Sequence, residues 1–301
     1  MSVRAIHSFI TCWGLSLWLC FPGVASADNK AKSPSFEEKF RFASQQEAQQ
    51  LLTAPDEWFS TVGPAQLASL HIDPAGLSSP DQIRPLFAQI AMACDAGQQQ
   101  RWTNAFAQVW QRMQTLQLHW PEQVVLICSS GVDAPASPYT RQNFIVLPKD
   151  APNESASVDL QLAAHELFHV FSRRKGQVMD AVYRVFNFAP IQPLQWPEEW
   201  KLFRISNPDA PDHRHAIVLK TQGVSKKYVP LLVARKIPDG KRETFFDVLD
   251  VRLVPIAEGK TSSVVERTNG EIKWIRHALK SLFWGHRWEH QLPVPSRGAG
   301  C

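Results

Sequence analysis

Residues 158–171 read Val158-Asp-Leu-Gln-Leu-Ala-Ala-His-Glu-Leu-Phe-His-Val-Phe171, and this stretch indicates both a helix and a metal site. His165 and His169 are four residues apart, so on an α-helix they lie on one face and can reach one metal ion. Glu166 lies one position further round, where its carboxylate can take a proton from a water molecule. The pattern predicts a helix from about Val158 to Arg173 that carries a zinc-type site.

The remaining side chains of this helix are mostly apolar, which predicts that it is buried nearly all round. The apolar positions are Leu162, Ala163, Ala164, Leu167, Phe168, Val170 and Phe171. Two histidines and a glutamate in such a helix are costly to bury unless something satisfies them, and a bound dication would do so. The alternative is a chance match of the motif, but most chance matches would fall on polar surface helices.

The start of the chain has the features of a cleaved export signal. Arg4 precedes an apolar run from Phe9 to Phe21, and Ala25-Ser-Ala27 follows with the small residues that signal peptidase recognises. The run is shorter than the roughly 20 apolar residues that a spanning helix needs, and no later stretch approaches that length. We therefore expect residues 1–27 to be a signal peptide, with a periplasmic or secreted chain that begins at Asp28 and has no stable membrane span.

The composition of the expected mature chain limits its partners and allows one disulfide. The net charge is +4, and loss of Arg4 with the signal leaves +3, which is too even a balance to predict nucleic-acid binding. Cys94, Cys128 and Cys301 remain after signal cleavage. An oxidising compartment permits a Cys94–Cys128 disulfide, with Cys301 left over.

Hydrophobic periodicity divides the mature chain into three regions. Residues 28–120 read as a helical N-terminal region, 121–215 as the metal-site region and 216–283 as a C-terminal β-containing region. In the first, an aromatic stripe at three- and four-residue steps predicts one buried helix face: Trp102, Phe106, Val109, Trp110 and Met113. In the last, three segments read as strands: Ala216–Leu219, Tyr228–Ala234 and Phe245–Ile256.

The metal-site region begins with two short apolar runs of strand length. Val124–Cys128 and Phe144–Leu147 are rich in β-branched residues, and Gly131–Thr140 between them reads as a loop. We therefore expect an α+β architecture, in which a small sheet ends in the Phe144–Leu147 strand and the metal helix follows it.

This order of elements resembles the zincin metallopeptidases, in their gluzincin branch. The residues that carry the resemblance are the strand Asn143-Phe-Ile-Val-Leu147 and the helix segment His165-Glu-Leu-Phe-His169. Lys175 stands where a third histidine would complete the metzincin pattern, so that variant is excluded. The stretch from Trp196 to Pro211 is similar to an uncharacterised group of exported bacterial zincins.

The resemblance implies an α+β, zincin-like fold with a zinc cofactor. It implies His165 and His169 as zinc ligands and Glu166 as the general base. It also implies an edge strand beside the helix that pairs with an extended peptide or protein substrate.

The third zinc ligand is not marked by any spacing. Glu199 is the best candidate within the chain, because it shares a predicted helix face with Trp196, but it also suits a helix start without any metal. We expect Glu199 to point inward more than its neighbour Glu198. His213 and His215 lie in a Pro- and Asp-rich stretch and are expected to be exposed.

Two function classes follow from these observations. The first is an exported zinc-dependent hydrolase, most simply a metallopeptidase in which Glu166 activates a zinc-bound water. The second is a non-catalytic zincin-like binding protein that keeps the helix but has an incomplete zinc site.

The chain from about Trp284 onward is predicted to be a frameshifted tail, because residues 284–301 have neither helical nor strand periodicity. Permitted codons in the neighbouring frame can encode a glutamate followed three and four positions later by Ala-Asp, which resembles the third-ligand helix of gluzincins. Re-sequencing of the gene should therefore find one inserted or deleted base near the codons of Ser281–Trp284. A neighbouring frame without that glutamate would contradict the prediction and leave Glu199 as the leading candidate.

Overall fold

The computed structural model describes residues 35–264, except residues 71, 74, 76, 78, 115–119, 135–136, 154, 174–176, 222, 239–247 and 259–261. The expected signal peptide and the predicted frameshifted tail lie outside the described residues. Within the described residues, helices alternate with the strands of two small sheets, so the predicted α+β class is confirmed. The boundaries of the three predicted regions stay predictions.

The helices of the described residues are numbered in chain order. They are α1 (Phe36–Lys39), α2 (Gln45–Thr53), α3 (Pro64–Ser69), α4 (Pro80–Ile83), α5 (Ala96–Met113), α6 (Ala156–Ser172), α7 (Gln177–Val185) and α8 (Glu198–Lys201). Short 3-10 helices cover Phe59–Thr61 and Arg84–Ile90. The helix that carries the motif is therefore α6, and it agrees with the predicted one to within two residues at each end.

The strands form two sheets. The first contains β1 (Phe40–Phe42), β2 (Ala91–Met92), β3 (Val124–Ser129), β4 (Tyr139–Arg141) and β5 (Phe144–Pro148). The second contains β6 (Phe188–Pro190), β7 (Leu194–Gln195), β8 (His215–Thr221), β9 (Val224–Ala234), β10 (Leu249–Glu258) and β11 (Ser262–Val264).

The first sheet has the order β1-β3-β5-β4, with β2 paired to β3. Strands β1, β3 and β5 are parallel, whereas β4 runs antiparallel to β5 and ends that side of the sheet. Along the chain, β5 is the last strand of this sheet and α6 follows it, as expected, although β4 is its spatial edge. The loop prediction at Tyr139 and Thr140 is wrong, because both residues lie in β4. The β4–β5 turn at Gln142 lacks the glycine that usually identifies a tight hairpin in a sequence.

Both faces of the first sheet are buried. On one face, alternate strand residues pack with the N-terminal helices: Val125, Ile127, Phe144 and Val146. On the other, the intervening residues pack against α5 and α6: Val124, Leu126, Ile145 and Leu147. Continuous apolar strands are expected where helices cover both faces of a sheet. The α6 helix consequently lies against the sheet instead of on the protein surface.

The predicted aromatic face of α5 is confirmed as core. Trp102, Phe106, Val109 and Trp110 are buried, in contact with the sheet and with α6, and Met113 is partly buried against the same cluster. Asp95 caps the start of this helix, because its side chain accepts from the backbone N–H of Gln98 and so satisfies a free donor of the first turn. Packing of α5 fixes one flank of α6.

The second sheet confirms that the C-terminal region contains β-structure. Strands β6, β8, β9 and β10 form an antiparallel series, and β11 joins β10 to β7. The first residues of the predicted Phe245–Ile256 strand fall partly outside the described residues. No helix in the described part of the chain is long and apolar enough to cross a membrane.

The disulfide that the sequence permitted between Cys94 and Cys128 is present, with 5.2 Å between their Cα atoms. Cys128 lies in β3 and pairs with Met92 of β2, so the bond joins the start of α5 to the centre of the sheet.

Removal of this disulfide should destabilise the protein. The bond closes a loop with a sequence separation of 34 residues. We expect Cys94→Ala/Cys128→Ala to lose about 3–4 kcal/mol of unfolding free energy, because the unfolded chain gains conformational entropy. Urea denaturation measures the loss, with Cys301→Ala as the control that leaves the pair intact. Equal stability of the two variants would contradict the prediction.

Candidate metal centre

Two histidine side chains of α6 face each other at the centre of the site. The Nε2 atoms of His165 and His169 are 3.0 Å apart, and the ring planes are nearly perpendicular. His165 is 3% exposed, whereas 14% of the His169 side chain reaches solvent. The four-residue spacing therefore brings two imidazole nitrogens together, as the sequence predicted.

Glu166 is fixed by the edge strand of the first sheet. Thr140 pairs with Ile145 across the β4–β5 ladder, and this register directs its side chain towards α6. Its hydroxyl donates to Glu166 Oε2 at 2.8 Å. The other carboxyl oxygen, Oε1, is buried and has no partner among the described residues, and the same holds for His165 Nδ1. Glu166 thus presents one oxygen with nothing bound to it.

A second carboxyl group, which the sequence analysis did not identify, lies beside the histidine pair. Asp209 Oδ1 accepts from the backbone N–H of Thr140 at 2.8 Å, and its Oδ2 is 3.8 Å from His169 Nε2. Asp209 belongs to the stretch between Trp196 and Pro211 that carried part of the family resemblance. No fixed spacing relates it to the motif, so only the fold brings it to the site.

Arg173 forms a hydrogen bond with the same edge strand of the sheet. Its Nη2 donates to the backbone carbonyl of Thr140 at 2.7 Å and also to the carbonyl of Pro208. The backbone N–H of Thr140 is already taken by Asp209. Both backbone groups of Thr140 that face away from β5 are therefore occupied by groups of the protein itself.

Glu199 does not join the site as the sequence led us to expect. It is exposed on α8, a four-residue helix without any buried residue. Leu202, the residue after this helix, is 50% exposed. A helix of one turn has too little surface to bury a face, and the inward prediction for Glu199 is wrong.

The exposure predicted for the two later histidines is also wrong. His215 is the first residue of β8, where its Nε2 lies 3.0 Å from Asp180 Oδ1 and its ring contacts that of Tyr183 at a tilt of 31°. His213 is half-buried against Trp196, and burial lowers its pKa to about 4. Both side chains gain contacts from elements distant in sequence, which a local composition cannot reveal.

Burial controls the protonation of the central groups. It lowers the pKa of His165 to about 3, helped by the neighbouring His169 ring, and lowers the pKa of His169 to about 3 as well. Both rings are therefore neutral near pH 7, the form in which imidazole binds metals. Burial and then the Asp209 charge raise the pKa of Glu166 well above its ordinary value. A nearby dication would favour the ionised carboxylate instead.

The histidine pair fits a zinc ion with a small adjustment. Zinc held tetrahedrally keeps two imidazole nitrogens about 3.3 Å apart, slightly more than the 3.0 Å between these Nε2 atoms. In the described part of the chain, no group of three or more His, Cys, Asp or Glu side chains already has the geometry to hold a metal ion. The partnerless Glu166 Oε1 and the neutral rings nevertheless have the chemistry of such a site.

The centre is closed in the conformation described. His165 and Glu166 are buried, and Asp209 covers the side of His169. A surface cleft on the second sheet is lined by other residues: Val218, Ser225, Lys226, Lys227, Pro255 and Ile256. It therefore contains none of the residues of the candidate centre.

Replacement of Thr140 by valine should destabilise the protein, because it removes the hydroxyl that donates to Glu166. We expect Thr140→Val to lose about 1–3 kcal/mol of unfolding free energy, because a buried carboxyl oxygen of Glu166 loses its donor. Denaturation of the metal-free protein at fixed pH measures the change. Thr140→Ser keeps the hydroxyl and is the matched control; equal losses in both variants would assign the effect to packing.

Comparisons of the chain with protein-family models, curated proteins and solved structures give no significant match. The chemistry of the site is therefore inferred from its own residues and contacts.

Proposed function

We propose that the protein is an exported zinc-dependent hydrolase, most simply a metallopeptidase with a zincin-like fold. The observation that carries the proposal is the group formed by buried His165 and Glu166 and partly exposed His169. In it, two ring nitrogens lie at hydrogen-bond distance from each other, and one buried carboxyl oxygen has no partner among the described residues. Burial of these polar groups is unfavourable unless a ligand or ion satisfies them. A zinc ion is the simplest group that would bind both imidazoles and favour the ionised Glu166 carboxylate beside them.

His165 and His169 would hold the zinc through Nε2, and Glu166 would act beside it as the general base. When bound, zinc supplies a Lewis acid that polarises a carbonyl oxygen and makes water more acidic. Glu166 Oε1 would take a proton from the attacking water and return it to the departing amine nitrogen. Thr140 holds Oε2 and so fixes the direction in which Oε1 points.

Export is supported by two independent features. The N-terminal signal pattern predicts passage across a membrane, and the Cys94–Cys128 disulfide suits an oxidising compartment. We therefore propose a periplasmic or secreted location. The substrate would be a peptide or protein.

The closed edge of β4 favours the alternative, a non-catalytic zincin-like binding protein. Extended substrates bind to a sheet edge through free backbone N–H and C=O groups. At Thr140 those groups are already bonded to Asp209 and Arg173. In a hydrolase, the segment that contains Asp209 would have to move before a peptide could pair with β4.

Measurement of zinc and of peptide cleavage separates the two functions. The wild-type mature chain should retain about one zinc per molecule after dialysis, and His165→Ala should lose it, because a zinc site needs both imidazoles. Glu166→Gln should keep the zinc but lower the cleavage of a peptide library by at least about 100-fold, since it removes the general base. Glu199→Gln, a change at an exposed carboxylate, is the matched control.

Each outcome has a distinct meaning. Wild-type protein without zinc would contradict the metal site, as would full zinc content in His165→Ala. Zinc-loaded wild type that cleaves no member of the library would favour the binding protein. Cleavage that is equal in wild type and Glu166→Gln would exclude Glu166 as the base.

A further inference from the structure

Asp209 is placed at the centre by a segment with several anchors. Ser206, three residues before it, accepts from Trp58 Nε1 through its carbonyl and donates its N–H to Gln66 Oε1 at 2.9 Å. The preceding residue, Ile205, donates to the carbonyl of Leu232 in β9 at 3.0 Å. The segment is thus tied both to the N-terminal helices and to the second sheet.

The loop that follows is held by bonds of its own. The backbone N–H of Asp209 donates to Asn207 Oδ1 at 3.0 Å, and the carbonyl of Pro208 accepts from Arg173. One carboxyl oxygen of Asp209 accepts from Thr140. Its orientation is consequently fixed, and the remaining oxygen, Oδ2, faces His169.

The two distances from His169 Nε2 to neighbouring donor atoms lie on either side of the donor spacing in a zinc site. A tetrahedral zinc with nitrogen and oxygen ligands holds its donor atoms about 3.3–3.5 Å apart. The Nε2 atoms of His165 and His169 are 3.0 Å apart, and Asp209 Oδ2 is 3.8 Å from His169 Nε2. Movements of about half an ångström would therefore bring both pairs to the spacing of zinc ligands.

The charge of this region also leaves room for a bound cation. Glu166 and Asp209 are both acidic, and Thr140 donates to one carboxyl oxygen of each. Arg173 is the positive charge near both carboxyls, but its Nη2 donates to two backbone carbonyls, and no hydrogen bond in the described structure joins it to either carboxyl. One guanidinium balances only one of two carboxylates, and a dication between Asp209 and the histidines would supply further positive charge.

We propose that Asp209 is the third protein ligand of the zinc centre, with His165 and His169. This inference rests on the zinc site of the proposed function and completes it, because a catalytic zinc has three protein ligands and one open position. Binding through Oδ2 leaves the Oδ1 bond from Thr140 in place. The edge of β4 would then form part of the support of the metal site.

Zinc affinity of position-209 variants tests the assignment. The mature wild type, Asp209→Asn and Asp209→Ala are stripped with a chelator and titrated with zinc against a chromophoric competitor. We expect both variants to bind zinc more than about 100-fold more weakly, because loss of an outer-shell partner alone costs about 10–100-fold. Asp212→Asn is the matched control, since Asp212 lies in the same loop and pairs with Arg214.

A cobalt spectrum gives a readout that is independent of activity and of affinity. Co²⁺ added at saturating concentration should give different visible absorption in wild type and Asp209→Asn, because one protein ligand is lost. The Asp212→Asn spectrum should match that of wild type. Thermal unfolding without metal confirms that Asp209→Asn is folded, and added zinc should raise the midpoint of wild type more than that of this variant.

The results separate failure of this inference from failure of the zinc site. Wild type that binds no zinc overturns both. Wild type that binds zinc no more tightly than Asp209→Asn overturns the ligand assignment alone and puts the third ligand elsewhere. A loss below about 100-fold with an unchanged cobalt spectrum also overturns it, and makes Asp209 a positioning residue.

Discussion

Burial of ionisable side chains on an apolar helix is the constraint on which the candidate site depends. Because both faces of the first sheet are covered, α6 packs against Ile145 and Leu147 and carries His165 and Glu166 into the interior. Packing of the apolar positions gives the free energy that holds the polar groups there. The same burial keeps the imidazoles neutral and leaves Glu166 Oε1 without a partner in the part of the chain that the structure describes.

Thr140 connects the sheet to this chemistry. Its hydroxyl binds Glu166, its N–H binds Asp209, and its carbonyl accepts from Arg173. A short edge strand therefore orients both acidic groups of the centre, and strand pairing to β5 sets the direction of all three bonds. Register matters here because a shift by one residue would turn the hydroxyl of Thr140 to the opposite face of the sheet.

The proposed functions differ in what the segment around Asp209 does. If it stays in place, Asp209 and Arg173 cover the backbone of β4 and the centre remains closed to an extended peptide. If Asp209 binds zinc, the segment belongs to the metal site, and a substrate must reach the open position by another side of His169. The partial exposure of the His169 side chain marks where the centre is nearest to solvent.

The sequence alone determined the elements whose signal is local. Helical spacing identified His165, Glu166 and His169 together, because residues four apart on a helix must share a face. Apolar runs identified β3 and β5, since strands covered on both faces are continuously hydrophobic. Only the tertiary structure decided that β4 is an edge strand, that Glu199 is exposed and that Asp209 lies beside His169. Each of these depends on pairing or packing with elements remote in sequence, and no local pattern records which distant partner a residue will meet.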